Sequence, residues 1–371
     1  MASGVHGPFR PGTGATPPYL AGRSTEKALF REWLAELAQR IPPGTQVVLY
    51  GPRGNGKTVL LDWLEKEASC FSGVTTAVLR PAEVSDPERL TDMLAPKSWW
   101  RRLAGSGFAV GGFSWRPGAA PAPAAGDVLI ARAKAHPLVM VVDEAHTLRL
   151  DVGRVLLNAA QEAGREHPFL LVLAGTPNLE GRLNAMGVSF WDRARQLGIG
   201  RLDAKATVEA FRRPFEAAGN RVDDGALAEM VRLSHGYPFF IQLLGREAWA
   251  EVALPGTSGV LTQAALARAK PGFEHRKRDY YRQRYRELED RGLLAAGRAV
   301  AEAFHGTPVL DTADLREAIS GATPDQDSSA IARTQRALSD LGFIWGASPD
   351  PSWEPGIPSL MDYVREHSGG R

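Results

Sequence analysis

The feature that most constrains this chain is eight residues long: Gly51-Pro52-Arg53-Gly54-Asn55-Gly56-Lys57-Thr58. It follows a short run rich in β-branched residues, Thr45 to Tyr50, and leads into Val59-Leu60-Leu61-Asp62-Trp63-Leu64, whose spacing predicts a helix. The glycines let the backbone fold tightly and aim its N–H groups at one point, and a helix N-terminus behind them adds partial positive charge. Strand, glycine loop and helix in that order are the context in which G-x-x-x-x-G-K-[ST] cradles phosphates. Gly51, Pro52, Arg53, Gly54, Asn55, Gly56, Lys57, Thr58 and Val59 are therefore candidate nucleotide contacts. Lys57 is placed to reach the β and γ phosphates and Thr58 to ligate Mg²⁺.

About 85 residues later comes Pro137-Leu138-Val139-Met140-Val141-Val142-Asp143-Glu144-Ala145-His146. The continuous apolar run reads as a strand buried on both faces, and its acidic pair stands at the C-terminal end, where ligands bind in open α/β sheets. Asp143 is the candidate Mg²⁺ ligand, through water, and Glu144 the candidate catalytic residue that polarises an attacking water. Asp-Glu-Ala-His also occurs in helicases, but those need a second motor domain, and one phosphate loop leaves too little chain for it. Further apolar runs at Val74 to Leu79, Phe169 to Ala174 and Ile199 to Leu202 alternate with helical patterns such as Asp151 to Glu166. Strands alternating with helices give an α/β class: a P-loop NTPase core with a parallel sheet between helices.

Composition sets the outer bounds. A length of 371 residues asks for two or three compact units. With 44 basic and 42 acidic residues, net charge +2 names no partner by itself. One cysteine, Cys70, excludes an internal disulfide framework and a Cys-rich zinc site, and makes a cytoplasmic location the default. Residues Met1 to Pro18 hold four Gly and four Pro with no apolar run, so they read as a flexible tail and not a signal peptide. No apolar stretch approaches a membrane span. Ala104 to Gly126, with seven Ala, six Gly and three Pro, reads as a flexible insert that could carry a short hairpin at Phe108 to Trp115.

Taken together, these motifs resemble the AAA+ superfamily, nearest to the branch of origin-recognition-type initiators and signal-transducing STAND ATPases. Tyr19-Leu20-Ala21-Gly22-Arg23, before the helical pattern Thr25 to Gln39, looks like the N-terminal Gly-Arg box, which implies that Leu20 contacts adenine. Leu171 to Pro177 looks like the sensor 1 strand, implying a catalytic role for Thr176 in positioning water. Ser189-Phe190-Trp191-Asp192-Arg193-Ala194-Arg195 is similar to the segment carrying an arginine finger, with Arg193 the better match and Arg195 in reserve. Ser234-His235-Gly236-Tyr237-Pro238 looks like the start of a lid helix, implying a nucleotide contact at Pro238. The pattern then departs: Phe239, Phe240 and Ile241 stand where initiators commonly carry a sensor 2 arginine, which implies slow, switch-like hydrolysis. Three helical patterns (Leu293 to Phe304, Leu310 to Ile319, Ser328 to Leu341) and the pair Gly342 to Gly346 and Trp353 to Gly356 resemble a winged helix.

The resulting division is a tail (1–18), an ATPase core (19–202, with the insert at 104–126), a helical lid (203–292) and a winged-helix-like end (293–371). That end holds six Arg, no Lys and eleven carboxylates, a poor balance for gripping DNA phosphates. The basic density lies in the lid at Arg276, Lys277, Arg278, Arg282, Arg284 and Arg286. The resemblance implies an ATP- and Mg²⁺-dependent ATPase that is a homo-oligomer in the ATP state. Two roles stand open: a nucleotide-gated switch acting on a protein partner, or a DNA-associated ATPase of initiator or transposition-helper type that uses the basic run.

Overall fold

The computed structural model describes residues 7–12, 16–95, 124–187, 193–253, 258–346 and 352–367. The expected hairpin at Phe108 to Trp115 lies outside them, as do most of the insert and Ser189 to Asp192.

Five strands, β1 (Val47–Tyr50), β2 (Thr75–Leu79), β3 (Leu138–Val142), β4 (Phe169–Gly175) and β5 (Arg195–Gly198), form one sheet in the order β2-β3-β4-β1-β5. Every pairing is parallel. Each residue of β3 and β4 is buried, and the two-residue period of a strand sends alternate side chains to opposite faces. Leu138, Met140, Val142, Leu171 and Leu173 join a core with α3 (Pro87–Leu94), α4 (Ala125–Ala135) and α5 (Leu150–Glu166). Val139, Val141, Leu170 and Val172 join the opposite core with α1 (Ser24–Ala38) and α2 (Lys57–Ala68). Continuous apolar runs were thus the right sign of a two-sided sheet.

One strand is displaced from its expected place. The apolar run Ile199 to Leu202 is not a strand; β5 is the preceding Arg195–Gly198. Its register is imposed by β1, which pairs Val47 with Arg195 and Tyr50 with Gly198. An edge strand needs no apolar run, because only one of its sides meets a neighbour. Ile199 then turns into the core beneath the phosphate loop.

Beyond the sheet follow α6 (Leu179–Ala185) and, after β5, the helices α7 (Ala204–Ala217), α8 (Asp224–Ser234), α9 (Pro238–Val252) and α10 (Gln263–Asp290). Short strands β6 (Arg221–Val222) and β7 (Val260–Leu261) pair between them. Next come α11 (Leu294–Ala303), α12 (Thr312–Ala322) and α13 (Ser328–Asp340), the hairpin of β8 (Ile344–Trp345) and β9 (Glu354–Pro355), and α14 (Pro358–Glu366). Phe211, Phe240, Phe273, Tyr281, Phe343 and Val364 share one hydrophobic core, so α7 to α10 and the C-terminal helices are packed as a continuous body.

That body touches the sheet beside the phosphate loop. Trp345 packs on Tyr50 with ring centroids 5.6 Å apart, and Arg201 pairs with Glu354 at 2.7 Å. Gly342 has φ +70°, and a Cβ there would stand 3.2 Å from Cβ of Pro52.

The flexible tail expected at 1–18 needs correction where the chain is described. Phe9 is only 3% exposed and is enclosed by Phe211 and Phe215, so an apolar side chain anchors a segment whose Gly and Pro content looked loose. Among the described residues, no helix is long and apolar enough to cross a membrane.

Candidate nucleotide site

The glycine loop fills the gap between β1 and α2. Gly54 and Gly56 have φ of +81° and +87°, the left-handed region that glycine enters without strain. At Gly54 the restriction is doubled, because an added Cβ would overlap the hydroxyl of Tyr237. That hydroxyl donates to the Arg53 carbonyl at 2.7 Å, tying the first residue before α9 to the loop backbone. Asn55 Nδ2 donates to the Ile199 carbonyl at 3.1 Å. The Arg23 guanidinium donates to the carbonyls of Asn55, at 3.1 Å, and Gly200. Arg23 thus clamps the loop to the segment that follows β5.

The α2 N-terminus has no side-chain cap, so its first-turn N–H groups are left for a ligand. Lys57 is 5% exposed, and its ammonium donates to the Gly51 and Pro52 carbonyls at 2.8 and 2.9 Å. Burial pushes its pKa down to about 8, against the opposing pull of Glu144 and Asp143. A buried cation whose hydrogen bonds go to neutral carbonyls is suited to an incoming phosphate.

Thr58 Oγ1 donates to Asp143 Oδ2 at 2.7 Å, bringing together the two candidate metal ligands. The described residues hold no cluster of three or more His, Cys, Asp or Glu that could bind a metal alone. A hydroxyl and a carboxylate fit Mg²⁺, which takes few protein ligands and completes its shell with phosphate oxygens and water.

Glu144 sits at φ +50°, a left-handed conformation that costs a non-glycine residue about 1–3 kcal/mol and marks a site the surrounding structure must hold. His146 stands behind it. Its Nε2 is 3.4 Å from Glu144 Oε2, and its Nδ1 accepts from the Thr176 backbone N–H at 3.5 Å. Burial lowers the imidazole pKa, overcoming the attraction of Glu144, which keeps the ring neutral. With Nδ1 accepting, the ring hydrogen belongs on Nε2, facing the Glu144 carboxylate. His146 therefore links the acidic pair to the tip of β4, a role that the letters Asp-Glu-Ala-His alone did not disclose.

A cavity of about 490 Å³ lies over the loop. Arg53 through Val59, Glu144, Leu20 and Pro238 all line it, as does Arg23. Phe239, Ile241 and Gln242 on α9, and Arg10, Pro11 and Gly12 in the tail, line it as well, although no local motif marks them as nucleotide contacts. The lining carries four cationic side chains (Arg10, Arg23, Arg53 and Lys57) against one carboxylate, Glu144, a balance for a polyanion. Thr176 is buried beside His146 and does not line the cavity. Arg193 and Arg195 are exposed at the β5 edge, and the fold does not bring them into this cavity.

The basic run lies on α10, with Phe273, Tyr281 and Leu288 buried. Four of its cations have acidic neighbours: Arg276 with Glu247 (3.4 Å), Lys277 with Glu274 (3.0 Å), Arg282 with Asp279 (2.9 Å) and Arg284 with Glu287 (2.6 Å). Such pairs add little stability, on the order of 0–1 kcal/mol each, but they cancel much of the field a polyanion would feel.

Residues 44–183 match the family model described as an AAA domain. No curated protein matches the sequence. Among solved structures, a Walker-type ATPase of Pyrococcus abyssi is similar at TM-score 0.60 and 16% identity, over 93% of this chain and 96% of that one. The ORC2 protein of Aeropyrum pernix, in ADPNP and ADP complexes, is similar at TM-score 0.57 and 18% identity, over 95% of this chain and 96% of that one.

Proposed function

We propose, on the premise that this chain is an AAA+ P-loop protein of origin-recognition-type fold, that it binds ATP with Mg²⁺, hydrolyses it slowly and acts as a nucleotide-gated switch on a protein partner. The observation that carries the switch is the double grip on the phosphate loop. Tyr237 of the lid bonds the Arg53 carbonyl, and Gly342 before the C-terminal hairpin rests on Pro52. A loop that reshapes around phosphates must move both, so bound nucleotide biases the position of the lid and of the winged-helix-like end.

In this reading the loop N–H groups and Lys57 hold the phosphates, and Leu20 and Pro238 flank the base. Thr58 and Asp143 hold Mg²⁺, which neutralises phosphate charge when bound. Glu144 accepts the proton of the attacking water, while Thr176 and His146 fix its surroundings. Arg193, or Arg195, reaches a neighbouring subunit's nucleotide in a cytoplasmic homo-oligomer. The absence of an arginine among Phe239, Phe240 and Ile241 accords with slow turnover.

Sedimentation with ATP, with ADP and without nucleotide, alongside phosphate release, tests the proposal. An ATP-specific assembly with slow phosphate release is expected. One sedimentation coefficient in all three states, with no release, would overturn it. His146→Ala should lower kcat roughly tenfold or more, within the range of groups that assist proton transfer, with KM little changed. His146→Gln, which can still donate toward Glu144, should recover part of the loss in the same steady-state assay.

A DNA-associated role is the second reading, favoured by the fold shared with the ORC2 protein and by the exposed Arg278 and Arg286. Anisotropy with labelled duplex decides between them. Weak binding at low salt is expected from the paired cations of α10, whereas tight binding that falls steeply with salt would establish the second reading.

A further inference from the structure

We infer that Arg10 to Gly12 form a wall of the nucleotide pocket and that this segment, pinned to the lid through Phe9 at one end and to the core through Thr16 at the other, sets how fast adenine nucleotide leaves. This inference rests on the nucleotide reading of the site proposed above.

The lid end is a wedge. The Phe9 ring lies 5.4 Å from Phe215 and 6.4 Å from Phe211, and Gly7 lies against the Trp249 indole. On α9 the ring meets Gly245, where any Cβ would overlap it. A helix interior disfavours glycine, so its presence where the Phe9 ring lands suits a shaped seat. The next residue continues the docking, as the Arg10 N–H donates to Gln242 Oε1 at 2.9 Å. Gln242 is one helical turn beyond Pro238, and both line the cavity together with Arg10.

The core end is a hydrogen bond. Thr16 Oγ1 donates to Asp62 Oδ2 at 2.6 Å, and Asp62 lies on α2, the helix that begins at Lys57. Between these two pins Arg10, Pro11 and Gly12 line the cavity together with Pro17 and Leu20, and Phe239 and Ile241 line it from the lid. Apolar surfaces contributed by both the tail and the lid suit a base, whereas Arg53, Lys57 and Thr58 suit phosphates. Opening either pin would loosen this wall around the nucleotide, so the stability of the docked segment enters the release rate.

The experiment uses the full chain and mant-ADP, chased with excess ADP in a stopped-flow fluorimeter, with a thermal melt of each variant without nucleotide. Phe9→Ala is expected to release mant-ADP about tenfold faster, equivalent to about 1.4 kcal/mol. Thr16→Val, at the opposite pin, should also quicken release. Leu266→Ala opens the same hydrophobic core away from the cavity, and should lower the melting temperature without changing release. Wild-type rates in both pin variants, or acceleration by Leu266→Ala equal to that of Phe9→Ala, would overturn the inference while leaving the nucleotide reading intact. Failure of the wild-type chain to bind mant-ADP or mant-ATP would overturn the nucleotide reading and the inference together.

Discussion

Glu144→Gln is expected to lower ATP turnover by about 10²- to 10⁴-fold while nucleotide affinity stays within a few-fold of wild type. The amide keeps the size and one acceptor oxygen of the carboxylate, so the left-handed backbone at φ +50° and the neighbouring Asp143–Thr58 bond have no reason to change. What it loses is the capacity to take a proton from water. The same substitution reverses the demand on His146: a neutral Nε2–H facing an amide can still be satisfied by the amide oxygen, so the network survives without its base. Phosphate release in single turnover measures the first effect and mant-ATP titration the second. Full hydrolysis in the variant would remove Glu144 from catalysis, and loss of binding would show that the carboxylate is needed to shape the pocket.

Lys57→Ala should weaken ATP binding by roughly 100-fold, or about 2.7 kcal/mol, the range expected for losing charge-assisted hydrogen bonds to phosphate. The pH dependence makes the test sharper. In the free protein the ammonium pKa is lowered to about 8 by burial, whereas a bound phosphate favours the charged form and raises it. Binding above about pH 8 must therefore take up a proton, and wild-type affinity should fall by about tenfold per pH unit there. For folding the sign is opposite. The unfolded lysine keeps its proton to a higher pH than the folded one, so from about pH 8 toward its ordinary value the unfolded chain binds more protons and the free protein gains stability as pH rises. Lys57→Ala should abolish both dependences, measured by titration calorimetry and by thermal melts across the same pH series. A wild-type affinity that is flat from pH 7 to 10 would mean that Lys57 does not contact phosphate.

The basic run shows what sequence conceals. Six cations stand within eleven residues, and their count leaves open either a solvated helix face or a patch for nucleic acid or an acidic partner. Their acidic partners come partly from the same helix, at Glu274, Asp279 and Glu287, and partly from α9, at Glu247. The local partners were visible at helical spacing, but the partner from α9 required knowing which helices pack together.

The phosphate loop, the acidic pair after β3 and the α/β class were legible because each is local. Glycine tolerance of positive φ, the two-sided burial of a parallel strand and the helix start at Lys57 are set by residues within a few positions of one another. The docking of Phe9 against α7 and α9, the register that moved β5 to Arg195–Gly198, and the neutral His146 between Glu144 and Thr176 were decided by tertiary structure alone. Each depends on surfaces far apart in sequence burying one another, and no short-range spacing records which seat a side chain will find.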